Sequence, residues 1–378
     1  MLEPKIYIDE YCEVHDLLKH YIFNDFSDFE SEKVHPGAIY VLGRDNMIRS
    51  NDKIRNIVES NLAHIVFSNP AEGATTMLGQ FQRFGTRDLI ESGKIMVLTG
   101  GNLPGNYRYF QFENFCQRML NFEENIACMD RTDEIYNKSD KPYQFLFLNG
   151  KMRPQRRWLF LKLRKLGLLE HSLYTNLDAK NAPDRELRYI VNGQDLMSTN
   201  EELKYLPVEY EVDLYQAQVG KPSPVNETNV MLQLFNNEWG AAYIKPEAYI
   251  DTYFSLVTET VFSGTNSFRT EKIWKPIIMG HPWIAVANRG FYRDLHNMGF
   301  RTFDGIIDES FDLVDSPQDR IEHISRVIND LCSSNLAKYM LQCKDTCKYN
   351  QQVMLDYQER HVSKFPQQFV EYLREQIQ

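Results

Sequence analysis

Three charged residues in one stretch of this chain have the types and spacing for chemistry on an anion. They are Glu259, Glu271 and Lys272, within Phe254–Val286, FSLVTETVFSGTNSFRTEKIWKPIIMGHPWIAV. A carboxylate beside an ammonium at the start of a helix can orient and neutralise a phosphate group. The second feature is the run Asn149-Gly150-Lys151-Met152-Arg153-Pro154-Gln155-Arg156-Arg157. Arg156 there would offer a bidentate donor at a helix N-terminus, and Arg153 is its rival. Each feature also has a structural reading. Glu259, Glu271 and Lys272 would be a salt-bridge cluster, and the basic run a solvated helix face.

The elements that must hold these residues follow from the apolar pattern. Tyr253–Val257 has strand length and composition, and Thr258, Glu259 and Thr260 stand at its end. A loop of small polar residues, Ser263 to Ser267, leads to Arg269-Thr270-Glu271-Lys272. Ile273, Trp274, Ile277 and Ile278 then mark a helix, with Thr270 as its N-cap. Gly280 and Pro282 stop it, and Trp283–Ala287 makes the next strand. The basic run has the same frame. Tyr143–Leu148 is the strand before it and 157–168, rich in leucine, the helix after it. Ligands of open α/β sheets sit outside the carboxyl ends of the strands, where both features fall.

The same alternation runs through the first third of the chain. Strands are expected at 5–8, 38–42, 64–67 and 95–98, with helices at 12–23, 52–61 and near 75–84. The polar run Asn137–Pro142 reads as a linker. Residues 176–230 are polar and irregular, 299–303 reads as a short strand, and the last 60 residues are helical in pattern. The expected fold is α/β, with domains over 1–140 and 141–345 and a C-terminal helical segment over 346–378.

Composition narrows the function classes. The chain has 378 residues, 43% of them hydrophobic, and can bury a large core. Its net charge of -10 argues against a general nucleic-acid binder, which needs clustered cations. No apolar run approaches the roughly 20 residues of a spanning helix. The first residues, MLEPKIYIDEYCEV, are acidic where a signal peptide is basic and apolar. The six cysteines, at 12, 116, 128, 332, 343 and 347, show neither zinc-knuckle nor disulfide spacing, so a reduced, cytoplasmic setting is expected. Cys343 and Cys347 alone do not close a metal site. No P-loop or G-x-G-x-x-G fingerprint is present, which lowers the kinase and dehydrogenase readings, and the absence of a D-x-D triplet favours cations from the protein over a metal-held diphosphate.

The stretch from Phe254 resembles the donor-binding segment of the α1,3-fucosyltransferases, inverting glycosyltransferases of the two-domain GT-B type. In that family a strand ends in Phe-Glu-Asn, and a loop leads to an aromatic residue followed by Thr-Glu-Lys. Here Thr258-Glu259-Thr260 stands at the first place and Phe268-Arg269-Thr270-Glu271-Lys272 at the second. The resemblance implies two Rossmann-like domains facing a cleft, and a terminal helix returning to the first. It implies donor-binding roles for Arg156, Glu259, Phe268, Glu271 and Lys272. Lys272 and Arg156 would neutralise a diphosphate leaving group. Glu271 would meet the ribose hydroxyls, Phe268 would pack on the nucleotide, and Glu259 would orient the sugar or Lys272.

The family's catalytic glutamate follows a strand in the run Thr-Gly-Glu-Asn. The matching run is Thr99-Gly100-Gly101-Asn102, which holds no carboxylate. Glu72, at the end of the neighbouring strand, is the expected replacement, with Glu113 or Glu259 next. His64 reads as a packed strand residue. The expected activity is metal-independent, inverting transfer of a sugar from a nucleotide-sugar co-substrate to a hydroxyl acceptor, a glycan among the candidates, with no cofactor. The alternatives are a non-catalytic nucleotide- or carbohydrate-binding protein and a DNA-base glycosyltransferase of viral type.

Overall fold

The computed structural model describes residues 4–30, 34–72, 79, 81–82, 85–103, 107–149, 153–174, 190–191, 194–195, 244–263 and 267–377. The chain divides into two units. The first comprises Met1–Gln117, Asn266–Phe268 and Asp356–Gln378, the second Arg118–Thr265 and Arg269–Leu355. Both are α/β with parallel sheets.

The first unit has strands β1 (Ile6–Asp9), β2 (Asn24–Phe26), β3 (Ile39–Leu42), β4 (His64–Asn69), β5 (Ile95–Thr99) and β6 (Tyr109–Gln111). They form one sheet in the order β2-β1-β3-β4-β5-β6, every pair parallel. The strand period of two divides the core. Tyr7, Tyr40, Leu42, Ile65, Phe67, Ile95 and Val97 fall in one apolar cluster, with Ile54, Ile57 and Val58 of helix α1 (Asn51–Glu59). Ile6, Ile8, Ile39, Val41, Val66, Met96 and Leu98 fall in the other. Sheets buried on both faces read as near-continuous apolar runs, and β1, β3 and β5 are such runs.

The second unit has β7 (Tyr143–Phe147) and β8 (Leu173–Tyr174), with helix α2 (Pro154–Lys165) between them. A two-residue antiparallel pair follows, β9 (Ile190–Val191) with β10 (Gln194–Asp195). Then come β11 (Thr252–Thr258), helix α3 (Glu271–Met279) and β12 (Trp283–Val286). The main sheet is parallel, in the order β12-β11-β7-β8. Helices α4 (Pro317–Cys332) and α5 (Leu336–Tyr357) follow, and α6 (Phe365–Ile377) belongs to the first unit.

Several elements differ from the sequence expectation. The unit boundary falls after Gln117, not near residue 140. Residues beyond it are tied to the second unit: Arg131 pairs with Glu247 at 2.7 Å, and the Tyr136 hydroxyl donates to the Gly280 carbonyl at 2.9 Å. The first helix shrinks to His15–Leu18, because the chain turns to lay β2 beside β1. The strand expected at 299–303 does not form. Most of the helix expected near 75–84 lies outside the described residues, as do most of residues 176–230 and of the loop 263–267.

Candidate functional site

In the second sheet β7 lies between β8 and β11, and the chain leaves it in opposite directions to β8 and, later, from β11 to β12. The crevice outside the carboxyl ends of β7 and β11 is therefore the topological crossover, where ligands of open α/β sheets bind. The starts of α2 and α3 meet at that crevice. The Gln155 side chain donates to the Glu259 carbonyl at 2.9 Å, and the Thr270 amide donates to the Glu259 carboxylate at 3.1 Å.

Each start is set by local chemistry. Arg153 is extended, and Pro154 takes the first helical position, where its missing N–H costs nothing. The first turn of α2 carries no acid; Gln155, Arg156 and Arg157 are all buried there. Two guanidiniums at the positive end of a helix work against its dipole, an arrangement that suits an anion binding nearby. Thr270 caps α3 with its hydroxyl, which accepts the Lys272 N–H at 3.4 Å. Gly280 ends α3 at a left-handed φ of 63°, and a Cβ there would lie 2.6 Å from Thr132.

Glu259 sits at the centre. It is 0% exposed. Its two oxygens accept the Thr270 N–H at 3.1 Å, the Thr270 O–H at 2.6 Å and the Thr260 N–H at 3.3 Å. Burial pushes its carboxyl up, Lys272 and Thr270 pull the other way, and the balance stays above the ordinary value. Glu271 is also pushed up by burial, but the Lys272 ammonium outweighs this and holds it below its ordinary value. Lys272 Nζ bonds the Glu271 carboxylate and, at 3.3 Å, the Thr270 hydroxyl. Arg156 is 2% exposed and donates through Nη2 to the Thr258 carbonyl at 2.9 Å. Thr258 in turn donates its hydroxyl to the Asn149 side chain at 2.9 Å.

The structure thus brings together Arg156, Glu259, Glu271 and Lys272. Phe268 and Glu72 belong to the first unit. Phe268 is 2% exposed, with its ring edge-on to Phe115 at 5.9 Å. It makes an antiparallel bridge with Gly101. Gly101 is there for space: a Cβ would lie 2.4 Å from the Ser267 carbonyl oxygen, so no glutamate fits at this position. Glu72 is half-buried beyond the carboxyl end of β4, with its N–H on the Asn69 carbonyl. Glu113 is buried and accepts from Gln111 at 2.7 Å. His64 lies in β4, and burial, then the Arg108 charge, holds it below its ordinary value.

Two participants had no sequence signal. Gln155 was visible only as Arg156's neighbour, and its pairing depends on a partner about a hundred residues away. The other is Asp9, at the crossover between β1 and β3 in the first sheet. Its carboxylate accepts the Gly43 N–H at 3.1 Å, the Asn46 side chain at 2.7 Å and the Tyr11 N–H at 3.1 Å. The first unit's crossover therefore holds the protein's own anion, and a phosphate is disfavoured there. Among the described residues no group of three or more His, Cys, Asp or Glu is placed to hold a metal ion, and no helix is long and apolar enough to cross a membrane.

No family model and no curated protein matches this chain. Among solved structures it is similar to a crystal structure of alpha1,3-fucosyltransferase with GDP. The match covers 93% of each chain at 10% identity, with a TM-score of 0.35.

Proposed function

We propose that this chain is a glycosyltransferase whose second unit holds a nucleotide-sugar donor at the β7/β11 crossover. The observation that carries this reading is the meeting of two helix N-termini there, with Arg156 on one and Lys272 on the other. Breaking the bond between sugar and diphosphate places the bonding pair on the diphosphate. Lys272, Arg156 and the amides of the helix ends supply the positive charge that such a leaving group needs. Glu271 is ionised and half-buried beside them, suited to accept from ribose hydroxyls. Attack by an acceptor hydroxyl from the opposite face inverts the anomeric carbon, and the hydroxyl's proton passes to a carboxylate. Glu72 is our choice for that base. Protein cations take the charge-neutralising role that a divalent ion has in enzymes with a D-x-D triplet.

One observation favours a second reading. Gly101 has no room for the glutamate that the resembling family carries, which suits a protein that holds a donor without transferring its sugar. A DNA-base acceptor fits poorly with a net charge of -10. Calorimetry with nucleoside diphosphates and their sugar conjugates tests the donor site. We expect binding, and a loss of about 1.5–3 kcal/mol in Lys272→Ala for the diphosphate but not for the bare nucleoside. Equal affinities in wild type and variant would remove the pocket. Slow release of free sugar from a bound donor separates the enzyme from the pure binder.

A further inference from the structure

We infer that Thr270 is a positioning residue whose hydroxyl, oriented by the buried Glu259 carboxylate, aims the Lys272 ammonium at the ligand; this rests on the diphosphate pocket proposed above. The argument is a count of protons and lone pairs. A threonine hydroxyl has one proton and two lone pairs, an ionised carboxylate only lone pairs, and an ammonium only protons. Lys272 can only donate to Thr270 Oγ1, so the hydroxyl's own proton has Glu259 Oε2, 2.6 Å away, as its acceptor. The two lone pairs are left, and both are met by Lys272. One takes its backbone N–H at 3.4 Å, the other its Nζ at 3.3 Å.

The carboxylate that sets this direction cannot turn away. It is 0% exposed and is also held by the Thr270 and Thr260 amides. The backbone beneath it is fixed from α2, where Arg156 holds the Thr258 carbonyl and Gln155 the Glu259 carbonyl. Of the three ammonium protons of Lys272, one faces Thr270 and one Glu271. The Lys272 side chain is 20% exposed, and the third proton is the one assigned to a phosphate oxygen. Without the hydroxyl, the ammonium keeps its hydrogen bond to Glu271 and its attraction to Glu259 but loses the contact that fixes the direction of that third proton.

The test uses the full chain, with inorganic pyrophosphate as the probe. Calorimetry reads affinity, and competitive amine labelling followed by mass spectrometry reads Lys272 against the other lysines. Thr270→Val should bind pyrophosphate roughly tenfold more weakly and label faster at Lys272. Thr270→Ser should restore both. Glu259→Gln gives a second, independent route. One amide oxygen cannot replace two carboxylate oxygens in accepting the Thr270 N–H, the Thr270 O–H and the Thr260 N–H together, so this variant should loosen the Thr270 hydroxyl and weaken pyrophosphate binding in the same direction as Thr270→Val. Thr270→Val with wild-type affinity and wild-type labelling would overturn the inference. So would Thr270→Ser as weak as Thr270→Val, since the loss would then come from packing. If wild type binds neither pyrophosphate nor any nucleoside diphosphate, the proposed function falls, while the labelling comparison still decides whether Thr270 holds Lys272.

Discussion

Arg156 and Lys272 carry the same charge at the same crevice, yet their removal should read differently. Arg156 is 2% exposed and holds a backbone carbonyl, whereas the Lys272 side chain is 20% exposed and ends in an ion pair. Arg156→Ala leaves the Thr258 carbonyl without that donor and should cost about 1–3 kcal/mol of stability as well as diphosphate affinity. Lys272→Ala should cost affinity and, because it leaves the half-buried Glu271 carboxylate without its cation, bring a stability loss that shrinks as pH falls and Glu271 takes up a proton. Urea unfolding of both variants at neutral and acid pH checks this, and losses with the same pH dependence in the two variants would count against it. Glu309 gives a separate prediction. Its carboxylate accepts the Thr302 O–H at 2.6 Å and the Phe303 N–H at 2.7 Å, and burial pushes it up to about 7. A carboxyl raised on folding favours the folded state below its unfolded pKa, and that contribution is lost as pH rises through the folded value. Glu309→Gln should therefore gain stability relative to wild type between pH 5 and pH 8, by on the order of 2 kcal/mol. A difference that stays constant across that interval would refute it. In the sequence, Arg156, Glu271 and Lys272 were legible because motif and helix start mark them together. The clasp by Glu259 was not, because it joins residues 11 apart through side-chain bonds that no periodicity announces.

At the scale of elements, β1, β3, β4, β5, β7, β11 and β12 were legible as apolar runs, their strand interiors almost wholly buried. The others were too short or too polar to stand out. β2 is Asn-Asp-Phe, β6 Tyr-Phe-Gln and β8 Leu-Tyr, and all three lie at sheet edges. An edge strand faces water on one side and needs only a few residues to pair, so it leaves no long apolar pattern. The glycines after β5 stood out in the sequence only as a run without a carboxylate, and their cause is close approach. A Cβ on Gly100 would lie 2.0 Å from the Pro70 carbonyl oxygen, and one on Gly101 2.4 Å from that of Ser267. Gly101→Ala should lower stability by about 1–3 kcal/mol through forced backbone displacement. An unfolding midpoint unchanged from wild type would show that the bridge to Phe268 yields.

At the scale of the whole molecule the two sheets share one pattern, with the third strand of each returning beside the first, next to the open crossover. They differ in what fills that crossover. Asp9 occupies the first, held by neutral amide N–H donors, whereas the second sets Lys272, Arg156 and two helix ends beside the Glu259 and Glu271 carboxylates. If Glu72 is the base, Glu72→Gln should leave donor affinity nearly unchanged and slow transfer by roughly 10²–10⁴-fold. A variant with wild-type turnover would pass the role to Glu113 or Glu259.

The first unit is completed late. One apolar face of its sheet, with Ile6, Ile8, Ile39, Val41, Val66, Met96 and Leu98, packs with Phe365, Phe369, Val370 and Leu373 of α6. At typical synthesis rates of about 5–20 residues per second, the intervening stretch of about 240 residues takes roughly 10–50 s to make. Over that interval the strands of the nascent first unit have no α6 to cover them, and a chaperone must shield that face or the sheet must wait. A chain ending at Leu355 should bind a hydrophobic dye strongly and aggregate. A peptide of residues 356–378 supplied in trans should suppress both, and a truncated chain that stays monomeric and dye-free would mean that the face closes without α6.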